Sequence, residues 1–395
     1  MKPNSLKSQI TMVMIVGLVL FIVISLILYL SKSSIKKQSQ QSIKKIHETK
    51  IEIQPINDYA TKCLDKLAKD AIVLLGKQGG YIYASQGGTL VDYSDTDEGL
   101  FYVKHNGLKV AYNILPPKFA IQPYSSETPD YPWRTFPYEK ESSNSEIFEG
   151  YFGINNMPPL NYSEGPNSIQ MQIESFIDSN MGSCMDLSIF EKQGVQISMQ
   201  PSKTSATIGS GDISVTSKIP VKIANPSANE FTELSYFSTS INIRLRDIYF
   251  FAKELIENDI KNIKFDIGGA RNNGDFLRVN LVKNAFTGED LIVVSDERSL
   301  VYGKPFEYIF ARRNRAPALH YIKNTKLEFS HNHQITQEDI FKNSTLKAYD
   351  PDEDNYTITI TPSLPKTLNV PQIQFKVEAS DGKLSDYQTI TVSRI

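Results

Sequence analysis

Residues Ile10 to Leu30 read ITMVMIVGLVLFIVISLILYL, with neither a charge nor a proline. The polar side chains in the stretch are Thr11, Ser25 and Tyr29, and a helix can carry those. About 20 apolar residues at a rise of about 1.5 Å each cross a hydrocarbon core about 30 Å thick. Inside that core every backbone N–H and C=O must be paired within the segment, which leaves a helix as the solution. The chain after it is long, polar and mostly β-like. The reading is therefore a single-pass transmembrane helix over 10–30, with the lipid bilayer as its partner and a large folded region on one side. Residues 1–9 form a basic head. Residues 31–54, rich in Ser, Lys and Gln, form a polar helical stalk whose isolated isoleucines are too sparse for a coiled coil.

Length and composition bound the remainder. A chain of 395 residues leaves room for two folded units beyond the anchor, at roughly 150 residues per domain. A formal net charge of −2 excludes a general nucleic-acid binder, which needs a clustered basic face. The 20 Tyr and 20 Phe against one Trp point to aromatic-rich strands rather than a helical bundle.

Orientation is contested by two signals. Lys2 and Lys7 precede the span, whereas Lys32, Lys36, Lys37, Lys44 and Lys45 follow it. That count alone puts the C-terminal side in the cytoplasm. A short basic head running straight into an apolar stretch is signal-like and argues the reverse. We expect a cell-membrane protein with a cytoplasmic N-terminus and the bulk of the chain extracytoplasmic. The segment Lys7-Ser8-Gln9-Ile10-Thr11 resembles the processing site of archaeal type IV pilin-like proteins. There a basic and a small residue precede a Gln, and cleavage falls before the apolar helix. The resemblance implies a filament subunit as an alternative to a fixed anchor. The acidic residue such subunits carry a few positions into the helix is replaced here by Val13 and Met14.

The middle of the chain reads as one α+β domain over 55–311, with strands and helices grouped rather than alternating. Helices are expected at Asn57 to Gly76, Ser168 to Met185 and Ser238 to Ile260, each with an apolar stripe at three- to four-residue spacing. The first carries Cys63 and the second Cys184, the two cysteines of the chain. Each is followed by a large apolar residue and then Asp. Outside the cytoplasm a disulfide between two packed helices fits this pattern; two buried thiols are the alternative. Strands are expected at Gly99 to Val103 and Leu108 to Ile114 around the turn His105-Asn106-Gly107. Others follow at 195–199, 205–208 and 213–223, and a meander runs over 276–312. Residues 115–160 form a long Pro-rich loop in which Tyr124, Tyr131, Trp133, Phe136 and Tyr138 make either a recognition surface or an apolar tuck. This middle region resembles a membrane-proximal domain found behind such anchors in archaeal membrane proteins.

At Arg312-Arg313-Asn314-Arg315-Ala316-Pro317 the composition shifts and Pro317 blocks a helix. Beyond it the spacing is wholly β, with strands at 327–329, 345–349, 356–361, 373–379 and 387–395. Turns fall at Asp350-Pro-Asp-Glu-Asp354 and Ser380-Asp381-Gly382. Several short strands so spaced predict a β-sandwich over 315–395. The runs NRAPAL, AYDPDEDNYTITI and VEASDGKLSDYQTITV resemble the cadherin-like, dystroglycan-type family of immunoglobulin-like modules. That resemblance implies extracellular structural or adhesive use, and in some relatives Ca²⁺ held by acidic loops. The candidate ligands here are Asp350, Asp352, Asp354 and Asp381, since Ca²⁺ takes six to eight oxygens. A solvated turn whose aspartates cap backbone N–H groups is the alternative. No EF-hand pattern accompanies them.

Catalytic patterns are missing from the sequence. There is no Walker loop, no Gly-x-Ser-x-Gly elbow and no His-Glu-x-x-His. Gly268 to Gly274 reads as a turn, and His331 with His333 as a surface strand start. The leading expectation is a non-enzymatic envelope protein that meets a surface protein or glycan and needs no cofactor beyond the Ca²⁺ that the acidic turn could take. A pilin-like filament subunit is the second reading. A small-molecule or glycan-binding or enzymatic pocket under the 115–160 loop is the third.

Overall fold

The computed structural model describes residues 53–92, 102–116, 152–165, 167–192, 196–225, 230–286, 289–319, 322, 326–341 and 346–395. The expected span over 10–30, its head, the stalk as far as residue 52, the pilin-like segment and the aromatics Tyr124, Tyr131, Trp133, Phe136 and Tyr138 lie outside them. No helix among the described residues is long and apolar enough to cross a membrane.

In chain order, α1 (Gln54–Lys77) is followed by β1 (Tyr102–His105), β2 (Leu108–Leu115), β3 (Ile154–Asn155) and α2 (Ile169–Cys184). Next come β4 (Gln196–Met199), β5 (Lys203–Ile208), β6 (Ile213–Asn225) and β7 (Glu230–Ile241), then α3 (Leu245–Lys261). A meander follows of β8 (Leu277–Phe286), β9 (Glu289–Val301) and β10 (Lys304–Arg312). The chain divides into two compact units that do not follow its order. Of the described residues, one unit holds those within 53–68, 177–206 and 214–240; the other holds those within 69–176, 207–213 and 241–395.

In the first unit β6 is the centre of a four-stranded sheet, flanked by β4 and β5 and also paired with β7. The apolar face of α1 appears where its spacing puts it, with Ile56, Ala60, Cys63, Leu64 and Leu67 buried. Cys63 is disulfide-bonded to Cys184 with the Cα atoms 5.9 Å apart. The Tyr59 hydroxyl donates to the Cys184 carbonyl at 3.0 Å. On α2, Asp178 accepts from the hydroxyl and the N–H of Thr204 on β5, at 2.6 and 3.2 Å. The predicted helix at 238–260 overruns its true start: 230–241 is strand, and the helix begins at Leu245. Phe237, Ile241 and Ile243 are buried on a two-residue beat, which a three- to four-residue stripe absorbs when Leu245 and Ile248 follow it.

In the second unit the predicted hairpin forms in register, Tyr102 opposite Ala111 and His105 opposite Leu108. Asn106 and Gly107 both take positive φ, 49° and 78°, the two-residue turn whose twist matches antiparallel strands. The sheet runs β1-β2-β10-β9-β8, with β3 on the end of β2. β8, β9 and β10 are the predicted antiparallel meander; β2 joins β10 in parallel. Helix α3 packs on β2, β3 and β9, burying Leu245, Ile248, Ala252, Leu255 and Ile256.

The mostly β C-terminal region, where the sandwich is expected, belongs to the same unit. It contains β11 (Ala318–Leu319), β12 (Lys326–Phe329), β13 (Gln334–Ile335), a short α4 (Gln337–Phe341) and β14 (Ala348–Tyr349). β15 (Thr357–Thr361), β16 (Lys366–Thr367), β17 (Gln372–Ser380) and β18 (Ser385–Arg394) complete it. Its main sheet runs β12-β18-β17-β15, with the β12–β18 pair parallel. Two short ladders, β11–β14 and β13–β16, accompany it. Phe375, Val377 and Ala379 alternate inward with Ile390 and Val392 onto Leu319, Ile335, Ala348 and Leu368. Two inward polar side chains tie the start of the module to its last strand. Asp386 accepts from the Leu319 N–H at 2.8 Å, and Gln388 from the Ile322 N–H at 2.7 Å. The fold is thus α+β, with a mostly β C-terminal region.

Candidate functional site

The basic run at the end of β10 and the acidic turn after β14 meet inside the second unit. β10 ends at Arg312, with its side chain on the helix-covered side of the sheet. The backbone then turns, and Arg315 follows three residues on. Both guanidiniums are sealed from water, at 2% and 0% exposure. Burial of that kind is tolerated only when each charge is paired and each N–H is received.

Arg312 reaches three carboxylates from three different elements. One terminal nitrogen donates to Asp259 in the last turn of α3 at 2.7 Å, and the other to Asp290 at the start of β9 at 2.7 Å. Its Nε lies 3.1 Å from Asp352, an ion-pair contact without a hydrogen bond among the described residues. Arg315 forks onto Asp352, with Nε at 3.0 Å and Nη2 at 2.8 Å, and its backbone N–H donates to the same carboxylate at 2.6 Å. Nη2 also lies 2.8 Å from Asp259 and donates to the Pro351 carbonyl at 2.8 Å. Nη1 donates to the Phe152 carbonyl at 3.1 Å. Asp259 and Asp352 therefore bridge the two arginines. Asp290 in turn accepts the Asn284 N–H at 2.8 Å, which ties the last residues of β8 to the same cluster.

The electrostatics follow from this packing. Burial alone would lower the Arg312 pKa, but Asp259, Asp352 and Asp290 outweigh it and hold the group well above its ordinary range. For Arg315 burial is likewise outweighed, by Asp259 and Asp352. The acidic turn is divided in its behaviour. Asp350 directs one oxygen to the N–H groups of Asp352 and Asp354, at 2.8 and 3.0 Å. Its other oxygen is buried without a partner among the described residues. Burial and then the neighbouring Asp352 charge push its carboxyl up to about 7. Asp354 is also raised, by burial and then by Asp352 and Asp290.

Of the four aspartates considered for calcium, Asp352 faces the two guanidiniums and Asp350 faces backbone N–H groups. Asp381 accepts Asn314 on one oxygen at 2.8 Å and the N–H groups of Lys383 and Leu384 on the other, both at 2.6 Å. Among the described residues no group of three or more His, Cys, Asp or Glu side chains is arranged to hold a metal ion. His333 pairs with Asp339 at 3.1 Å and stacks on Phe329. The glycine-rich 268–274 stretch is a turn closed by Asp266 and Asn272.

Sequence reasoning named both halves of this cluster but did not join them. It treated 312–317 as a boundary and 350–354 as a solvated or ion-binding turn, and it missed Asp259 and Asp290. A signal was present: Asp259 lies on the apolar stripe of α3, flanked by Leu255, Ile256 and Ile260. A carboxylate on such a stripe requires a buried partner. Chemically, the arrangement offers no open position and no activated nucleophile. It is a joint, fixing the last turn of α3, the start of β9, the end of β10, the Phe152 backbone before β3 and the sandwich turn in one geometry.

No protein-family model matches this chain, and no curated protein matches it. Solved structures do match, among them the extracellular cadherin domains 1–4 of protocadherin gamma B7. That match covers 55% of this chain and 70% of that one at 10% identity, with a TM-score of 0.14. A likeness at that TM-score settles neither fold nor function.

Proposed function

We propose that the chain is a single-pass, membrane-anchored envelope protein whose extracytoplasmic region is structural or adhesive and not catalytic. The observation that carries this reading is the Cys63–Cys184 disulfide, because such bonds persist in oxidising compartments and are rare in the cytosol of most organisms. It is supported by the uncharged apolar run over 10–30. In this reading the buried arginine–aspartate joint makes the sandwich a rigid extension of the mixed sheet rather than a bead on a linker. A rigid spacer transmits position to a surface partner, a protein or a glycan, without the entropy cost of ordering a flexible connection. Protease shaving of intact cells tests the proposal. Digestion of the 53–395 region from outside, with the anchor retained in the membrane, is the expected result; full protection of that region in intact cells overturns it.

A further inference from the structure

Strand β15 is the outer strand of the main sandwich sheet, and among the described residues it pairs on one side, with β17. Free edges invite pairing, and proteins guard them with charges, prolines, bulges or irregular register. The other edge strands of the two larger sheets of this unit are guarded. β1 carries Lys104, β12 carries Lys326 and Glu328, and β8 carries Arg278 and Lys283 with a register shift between Val282 and Phe286. β15 has none of these. It reads Thr357-Ile358-Thr359-Ile360-Thr361, uncharged, with an unbroken register against β17. Pro362, which has no N–H to donate, stops the ladder after Thr361.

Those five residues are also a palindrome. Two copies run antiparallel about a two-fold axis at Thr359 place Thr357 opposite Thr361, Ile358 opposite Ile360, and Thr359 opposite itself. The threonines are exposed and the isoleucines are partly buried against the sandwich core. Pairing therefore sets Thr against Thr on the solvent side and Ile against Ile on the core side, both favourable cross-strand combinations. A two-fold contact requires a surface complementary to itself, and this edge meets that condition in both residue type and facing.

We propose that β15 is a homotypic docking edge, which joins a second copy of this chain into one continuous sheet running β12-β18-β17-β15 and on through the partner's β15. Five residues bury far less than the roughly 1,200 Å² of a standard interface, so the contact is weak between free molecules. Confinement of both copies to one membrane raises their effective concentration. That last step rests on the envelope reading; the pairing itself does not, and it is tested on purified protein so that the two fail separately.

The experiment is cysteine cross-linking of the full chain in detergent micelles under mild oxidation. Both native cysteines are already joined to each other, so each introduced cysteine is the single free thiol. Thr359→Cys is expected to form disulfide-linked dimers. Thr357→Cys and Thr361→Cys, each alone, are expected to link at least about tenfold less, and a mixture of the two to link to each other. In sedimentation, Thr359→Lys sets two ammonium groups face to face on the axis and is expected to weaken self-association at least about tenfold. Circular dichroism checks that this exposed substitution leaves the fold intact. Equal linking by all three single-cysteine chains, no linking at 359, or self-association unchanged by Thr359→Lys overturns the proposal.

Discussion

Arg315→Met is the perturbation that most directly weighs the buried joint. Methionine keeps much of the length and removes the charge and the donors. Three carboxylates, Asp259, Asp290 and Asp352, face two guanidiniums in the native cluster. Without Arg315, Arg312 alone must balance all three. Asp352 then loses its forked partner, and the carbonyls of Phe152 and Pro351 lose their donors. Breaking a buried ion pair from one side costs about 3–5 kcal/mol, because the abandoned charge stays in low dielectric. Each orphaned carbonyl adds about 1 kcal/mol or more, softened by relaxation or a trapped water. We therefore expect a loss of about 4–6 kcal/mol in the second unit, against total stabilities of about 5–15 kcal/mol for folded domains. At roughly 2–4 °C per kcal/mol for a unit of this size, the transition should fall by about 10–20 °C. The assay is thermal unfolding by near-ultraviolet circular dichroism, paired with hydrogen exchange across 312–319 and 350–354. Arg315→Lys keeps the charge but not the fork, and should fall between the two. A melting temperature for Arg315→Met within about 2 °C of the native protein would refute the view that this cluster fixes the joint.

Three further outcomes follow from the same structure. The Asp350 carboxyl, pushed up to about 7, binds a proton in the folded state where the unfolded chain has released it. Stability should therefore fall as pH rises from about 4 towards 7, by at most about 4 kcal/mol; Asp350→Asn, which mimics the neutral acid, should flatten that slope in melts taken between pH 4.5 and 8. Removing the Cys63–Cys184 bond, which closes a separation of 121 residues, should destabilise the first unit by about 4–5 kcal/mol in the chain-entropy view; urea titrations of Cys63→Ser/Cys184→Ser against the native protein read it. Gly107→Ala should cost only about 1 kcal/mol, since a Cβ there meets nothing within 4 Å and the sole penalty is its φ of 78°; a loss above about 2 kcal/mol in denaturant would contradict the open turn.

What was legible in the sequence was whatever a local period or a turn dictates. The stripe on α1, the Asn106-Gly107 hairpin, the β8–β10 meander and five of the eight C-terminal strands are each set by neighbours within about ten residues. The Cys63–Cys184 pairing was readable because two helices carried the same local signature. What stayed hidden were long-range decisions that leave no period: the parallel docking of β2 on β10, and the division of the chain into units that interleave along it. The arginine joint is the instructive case. Arg312 to Arg315 read as a boundary because the composition shifts there, and Asp350 to Asp354 read as an ion-binding or solvated turn. Their meaning changes once each is seen to need the other: three aspartates from α3, β9 and the sandwich turn make burial of two guanidiniums tolerable, and the guanidiniums make burial of the aspartates tolerable. A hydrophobic replacement of matching shape can stabilise as well or better, so net stability gives no reason to keep such a cluster. Directionality gives one, because a forked guanidinium donates along a few directions only. The end of β10 and the sandwich turn are thereby held to one orientation, which greasy packing alone would leave free to slide.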